Sequence, residues 1–280
     1  MQIINTIAQL QEELSHARNA GKKIGLVPTM GALHDGHASL VRRSVSENDV
    51  TVVSIFLNPT QFNDPKDLER YPRTLDNDCK ILDQCGAQIA FAPSVVEIYP
   101  EPDTRRFSYP PTDTVMEGER RPGHFNGVCQ IVSKLFRITN PDRAYFGEKD
   151  FQQIAVIRRM VQDLGFKIEI IPCPVIREKS GLAMSSRNTL LSAEERIIAA
   201  NIYRILKESK TQVLTLKETE QWVISQINAI EGLEVEYYSI VDGKTLSEVH
   251  DWTDSDDIVG CITVYCGKTP IRLIDHIRYK

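Results

Sequence analysis

The chain has 280 residues, of which 41% are apolar and 25% charged, and its formal net charge is −5 at pH 7. That length suits one large domain or two ordinary ones, and the composition is that of a soluble globular protein. The acidic balance argues against a general nucleic-acid binder, and no run of about 18 apolar residues offers a membrane span.

The N-terminus, Met1-Gln2-Ile3-Ile4-Asn5-Thr6, has no basic stretch followed by an apolar one, so a cytoplasmic protein is expected. Ile24 to Val27 is an apolar run that reads as a strand. The helix after it, His37 to about Asn48, places Ala38, Val41 and Val45 on one face. Val50 to Leu57 is rich in β-branched residues, the pattern of a buried parallel strand. Thr74 to Cys85 reads as a helix closed by Gly86, with Asp76, Asp78 and Asp83 expected on a solvated face. Gln88 to Ala92 is the next strand. Gly127 to Thr139 is an amphipathic helix, Arg143 to Gly147 a strand, Phe151 to Leu164 a helix closed by Gly165, and Lys167 to Pro172 a further strand.

Strands alternating with helices predict an α/β domain over residues 1–175, a parallel sheet wrapped by helices. Beyond about residue 176 the pattern changes. Ser192 to Glu195 is a capping box opening a helix, and Leu216 to Ile230 is a second helix. Val235 to Val241, Ile258 to Cys266 and Arg272 to Ile277 read as strands, so a smaller α+β C-terminal domain with an antiparallel sheet is expected over 176–280. Asp251, Asp254, Asp256 and Asp257 read as a solvated turn. The cysteines Cys79, Cys85, Cys129, Cys173, Cys261 and Cys266 have no zinc spacing; they read as buried small residues, and no protein-held metal is expected.

Ligands of parallel sheets sit beyond the carboxyl ends of the strands, and three polar turns lie there. The first is Pro28-Thr29-Met30-Gly31-Ala32-Leu33-His34-Asp35-Gly36-His37. Its helix start offers free N–H groups and the positive dipole end, a setting for phosphate in which the histidines can donate to triphosphate oxygens. The alternative is a purely structural turn histidine. The segment resembles the His-Ile-Gly-His signature of class I aminoacyl-tRNA synthetases and related nucleotidyltransferases, which implies a Rossmann-like fold of that type and attack on the α-phosphate of ATP. The second turn, Asn58-Pro59-Thr60-Gln61-Phe62, offers Gln61, and Gln153 lies in the first turn of a helix. Neutral amides suit the hydroxyls and carboxylate of a small polar substrate, or serve as plain hydrogen-bond partners. The third is Gly147-Glu148-Lys149-Asp150, where Lys149 can pair with phosphate and Asp150 can cap the helix or hold a ribose hydroxyl; a solvated Lys/Asp pair is the bland reading. Met184-Ser185-Ser186-Arg187-Asn188 either closes over a nucleotide, as the Lys-Met-Ser-Lys-Ser loop of class I synthetases does, or is a polar interdomain turn. Arg120 to Gly127 is a basic, glycine-flanked loop, either a lid or a surface loop.

With Tyr71-Pro72-Arg73-Thr74 and Arg121-Pro122-Gly123-His124-Phe125, these blocks run in order from residue 28 to 188 and together resemble the pantothenate synthetase (pantoate–β-alanine ligase) family. The resemblance implies a two-step reaction. Pantoate and ATP give pantoyl adenylate and pyrophosphate, and β-alanine then gives pantothenate and AMP. It implies catalytic roles for His37, His34 and Lys149. It implies ATP contacts from Met30, Gly31, Ala32, Leu33, His34, Asp35, Gly36 and His37, from Gly147, Glu148, Lys149 and Asp150, and from Ile176, Met184, Ser185, Ser186 and Arg187. Gln61 and Gln153 would hold pantoate, with Gln61 also near β-alanine. Mg²⁺ would accompany ATP, held chiefly by phosphate oxygens, and the protein would be a homodimer without nucleic-acid or membrane partners. Two rivals stand beside it. A nucleotidyltransferase for a phosphorylated acceptor would call for extra Lys or Arg where Gln61 and Gln153 stand. A nucleotide-binding regulatory module would be favoured by loss of a histidine or of Lys149, and all are present.

Overall fold

The computed structural model describes residues 1–280. In chain order the elements are β1 (Gln2–Ile4), α1 (Ile7–Asn19), β2 (Ile24–Thr29), α2 (Asp35–Glu47), β3 (Val50–Ile55), α3 (Pro65–Arg70), α4 (Leu75–Gln84), β4 (Ile89–Phe91), α5 (Val95–Ile98), α6 (Glu117–Arg120), α7 (His124–Thr139), β5 (Arg143–Gly147), α8 (Phe151–Asp163), β6 (Glu169–Cys173), α9 (Ala193–Ala199), α10 (Asn201–Ser209), α11 (Leu216–Asn228), β7 (Leu233–Asp242), β8 (Ile258–Cys266) and β9 (Ile271–Arg278). Short 3₁₀ turns occupy Pro59–Gln61, Glu148–Asp150 and Ser186–Leu190.

Six strands form one parallel sheet in the order β1-β4-β3-β2-β5-β6. Both faces are covered: Leu26, Val27, Val52, Val53 and Ala144 have no exposed surface, which is why these strands read as continuous apolar runs. From β2 the chain builds outward through β3 and β4, then returns to place β5 on the other side of β2. The β2/β5 boundary is therefore a topological switch point, where the loops after adjacent strands diverge and leave a crevice. The sequence expectation of a parallel α/β sheet followed by an antiparallel one holds: β7, β8 and β9 form an antiparallel sheet. That sheet shares an apolar cluster with α9, α10 and α11, separate from the clusters on the parallel sheet.

The short helices α3, α5 and α6 have no counterpart in the sequence pattern, α2 starts at Asp35 rather than His37, and two larger features also depart from the expectation. The first 19 residues, for which the sequence pattern predicts no element, add an edge strand paired to β4 and a helix that buries Leu10 and Leu14. Helix α7 begins at His124 rather than Gly127, because Gly123 takes the left-handed conformation (φ +83°) that turns the chain into it. Gly127 then lies inside the helix, where an added Cβ would sit 2.3 Å from the Thr60 carbonyl oxygen. Gly127→Ala must push the Pro59–Gln61 turn away from α7. It is expected to cost roughly 1–3 kcal/mol, measurable by denaturant unfolding, and an unchanged midpoint would mean the two backbones separate freely.

Candidate active site

Strand β2 delivers the chain to the crevice, and hydrogen bonds hold the loop that follows. Thr29 Oγ1 donates to the Ser54 carbonyl (2.7 Å) and accepts from the Gly31 N–H (3.3 Å). Gly31 and Ala32 both have positive φ, +84° and +50°. For alanine that conformation costs about 1 kcal/mol or more and needs outside support. Asp78 supplies it. Its carboxylate has no exposed surface, accepts from the Ala32 and Leu33 N–H groups (3.0 and 2.8 Å), and accepts also from Thr74 Oγ1 (3.0 Å). This corrects the solvated-face expectation for that residue. Asp78 sits on α4 facing inward, and it is a site-building residue that sequence reasoning missed.

Helix α2 starts where this loop ends, and its first turn is capped by histidines. His34 is the N-cap; its Nδ1 accepts from the Gly36 N–H (3.1 Å), while His37 Nδ1 accepts from the His34 N–H (3.4 Å). A ring nitrogen that accepts carries no proton, so each imidazole is neutral with its proton on Nε2. The two rings lie with centroids 4.1 Å apart. Burial, with Lys149 nearby, lowers His34 to about 4. Burial, His34 and Lys149 hold His37 well below the usual histidine range. Two neutral N–H donors thus stand at the head of a helix dipole.

The neighbouring strands bring the other groups. After β3, Asn58, only 1% exposed, donates from Nδ2 to Gln61 Oε1 (3.0 Å) and to the Gly127 carbonyl (3.1 Å), and it accepts from the Tyr99 hydroxyl (2.8 Å). Gln61 Nε2 lies 3.1 Å from the Met30 sulfur. After β5, Lys149 pairs with Asp150 (3.2 Å). From the far side, Ser186 Oγ donates to the Ala32 carbonyl (3.0 Å), and Arg187 pairs with Asp67 (2.8 Å).

These groups enclose a cavity of ≈ 200 Å³ lined by Met30, His34, Gly36, His37, Gln61, Gly147, Lys149, Asp150, Gln153, Ile176 and Met184 to Arg187. Asn58 and Tyr71 line it too, and sequence reasoning gives neither a role. A wider cleft of ≈ 700 Å³ adjoins it, sharing Lys149, Asp150, Gln153, Ser185 and Arg187, and opens toward Arg121, His124 and the C-terminal sheet. Gly31, Ala32, Leu33, Asp35 and Glu148 line neither space. Leu33 is packed in the core, and the Ala32 and Leu33 N–H groups are already taken by Asp78. The 120–127 segment is part of the wall. His124 is buried; its Nδ1–H donates to the Gln61 carbonyl (2.8 Å), leaving Nε2 to accept from Arg121 (3.4 Å). No group of three or more His, Cys, Asp or Glu side chains is placed to hold a metal, and no helix is long and apolar enough to cross a membrane.

The buried histidines carry a pH consequence. Burial, with Arg121 next, lowers His124 to about 4, as burial lowers His34, whereas an unfolded histidine titrates near 6.5. Between those values the unfolded chain binds more protons, so stability is lost as pH falls through that window. The thermal midpoint is expected to drop from pH 7 to pH 5. A flat or rising midpoint would mean that these rings are charged in the folded state.

A parallel sheet with a histidine-headed helix at its switch point, a lysine turn beside it and a Ser-Ser-Arg rim defines an α/β protein of the nucleotidyltransferase type. A family model for pantoate-beta-alanine ligase matches residues 2–278. The chain belongs to that family. It is 63% identical to pantothenate synthetase of Bacteroides thetaiotaomicron, with all of this chain and 99% of that protein aligned, and 56% identical to that of Porphyromonas gingivalis over the full length of both. The fold superposes on the crystal structure of Thermus thermophilus pantothenate synthetase with a TM-score of 0.91, at 40% identity and 99% coverage of both chains. It superposes on Francisella tularensis pantoate-beta-alanine ligase, a structure complexed with beta-gamma ATP and beta-alanine, with a TM-score of 0.83, at 38% identity, covering 99% of this chain and 97% of that one.

Proposed function

We infer that this protein condenses pantoate with β-alanine, driven by ATP, through a pantoyl adenylate. The observation that carries the reading is the convergence of two neutral histidines, a lysine, two glutamines and a Ser-Ser-Arg rim on one cavity, in a chain of this family from end to end. In the first step a pantoate carboxylate oxygen attacks the α-phosphorus of ATP and the bond to the bridging oxygen breaks, releasing pyrophosphate. In the second the β-alanine amine attacks the acyl carbon, AMP leaves, and the nitrogen loses its proton as the amide forms.

The roles we assign combine the family's pattern with the position of each side chain around the cavity. His34 and His37 donate Nε2–H to the phosphate oxygens where charge grows, fixed beforehand by their caps. Lys149 adds a point charge. Gln61 and Gln153 hold pantoate, with Gln61 also near β-alanine. Gly147, Asp150, Ile176, Met184, Ser185 and Ser186 surround the nucleotide, and Arg187 exchanges Asp67 for phosphate. Gly31, Ala32, Leu33, Asp35 and Glu148 act by shaping the loops. Mg²⁺ would enter with ATP, held chiefly by phosphate oxygens, and would neutralise part of the triphosphate charge. Residues 1–175 form the ATP- and pantoate-binding domain, and 176–280 close over it, excluding water from the adenylate. A cytoplasmic homodimer completes the reading.

The test is release of pyrophosphate and AMP from the purified protein with ATP, Mg²⁺ and pantoate, with and without β-alanine. Sustained AMP and pantothenate formation only with β-alanine supports the ligase. Pyrophosphate release without pantoate, or ATP binding without turnover, would sink it.

A further inference from the structure

The C-terminal sheet meets the rest of the chain across a small apolar cluster that includes Met116, Phe151, Val259 and Cys261. Next to Met116 in sequence is Glu117, an acid in α6 whose side chain is only 10% exposed. Its Oε1 accepts from the Tyr237 hydroxyl (2.8 Å), Thr263 Oγ1 (2.9 Å) and Arg272 Nη2 (2.6 Å), and its Oε2 accepts from Arg272 Nη1 (2.6 Å). Those three residues stand one on each strand of the antiparallel sheet, β7, β8 and β9. A buried carboxylate is tolerable only when its lone pairs are so filled.

On the other side Glu117 is tied to the substrate cavity. Its backbone N–H donates to the buried Gln152 Oε1 (3.0 Å), the residue beside Gln153. Its carboxylate lies 3.8 Å from Arg121 Nη1, one turn on. Arg121 donates to His124, and His124 donates to the Gln61 carbonyl. Glu117 thus joins all three C-terminal strands, through its carboxylate, to the Gln61 turn by way of Arg121 and His124, and through its backbone N–H to the turn that bears Gln153.

We propose that Glu117 is a positioning residue that docks the C-terminal sheet over the cleft and thereby keeps water from the acyl adenylate between the two steps. The role rests on the ligase reading above. If docking loosens, water attacks the acyl carbon, the bond to the AMP oxygen breaks, and pantoate is regenerated with release of AMP and a proton. ATP is then consumed without product. A residue that merely supports folding would lower AMP and pantothenate together and leave their ratio at one.

The experiment measures AMP and pantothenate formed by the full-length protein and by Glu117→Gln, with ATP, Mg²⁺, pantoate and β-alanine. Glutamine keeps the shape but leaves Arg272 with only Glu236 as anionic partner (2.6 Å). The wild type is expected to give one AMP per pantothenate, and the variant about two or more, with kcat/KM for pantoate down roughly tenfold. Should Glu117→Gln fail to fold, Thr263→Val removes one donor from the same carboxylate, and the same ratio decides. A ratio of one in the folded variant overturns the role of Glu117 while leaving the ligase reading intact. A wild type that makes no pantothenate overturns the ligase reading itself.

Discussion

His37→Ala is expected to slow pyrophosphate release by about a hundredfold, equivalent to ~2.7 kcal/mol of lost transition-state stabilisation. The effect should be large because the donor is neutral and fixed. Its Nδ1 is engaged by the His34 N–H, so Nε2–H is the group offered to the cavity. Burial, then His34 and Lys149, keep the ring uncharged at neutral pH, so it contributes by a placed dipole. Such a donor gains strength as charge grows on the oxygen it faces, with no reorganisation at the moment of reaction. His37→Ala also frees the His34 N–H, the reciprocal half of the α2 capping box, so the fold of the variant is checked beside its rate. Rapid-quench measurement of the first step, with circular dichroism to check folding, decides the matter. A folded variant with an unchanged adenylation rate would remove His37 from the phosphate site.

Asp78→Ala is expected to destabilise the protein by about 2–6 kcal/mol, since two backbone N–H groups would lose their only acceptor at roughly 1–3 kcal/mol each. It should also depress turnover strongly, although Asp78 lines neither the cavity nor the cleft. The loop it holds contains Ala32 at positive φ and leads directly into His34. Without the carboxylate that conformation has little to offset its strain, and the histidine pair loses its fixed origin. Asp78→Asn should fall between the two. One oxygen can still accept from Leu33, but the amide nitrogen would then face the Ala32 N–H, donor against donor. Denaturant unfolding and steady-state turnover measure both effects. An alanine variant as stable as wild type would show that the loop holds itself.

How much of the fold and site is legible in the sequence depends on how local each signal is. The parallel strands announce themselves because both sheet faces are buried, so β-branched and apolar residues dominate runs such as Val50–Ile55. Helix α2 announces itself through Ala38, Val41 and Val45, spaced along one face within two turns, though its start at Asp35 and its histidine cap do not show in that spacing. The edge strand β1 has three residues, and its register comes from β4, nearly ninety positions away. Three aspartates look alike on the pattern of α4, and only packing of that helix against the β2 loop singles out Asp78. Glu117 carries no sequence signal at all, because its partners lie 120 to 155 positions on.

By itself, then, the chain's order of residues determined the layered α/β plan, the antiparallel C-terminal sheet and the polar turns beyond the parallel strands. These rest on backbone geometry and on side-chain periods of two or three to four residues. The tertiary structure alone decided that the turns line one cavity, that the histidines are neutral Nε2–H donors, and that Asp78 and Glu117 each bond segments far apart in the chain. Those properties depend on desolvation and on hydrogen bonds between distant segments, which exist only once the strands have taken their order.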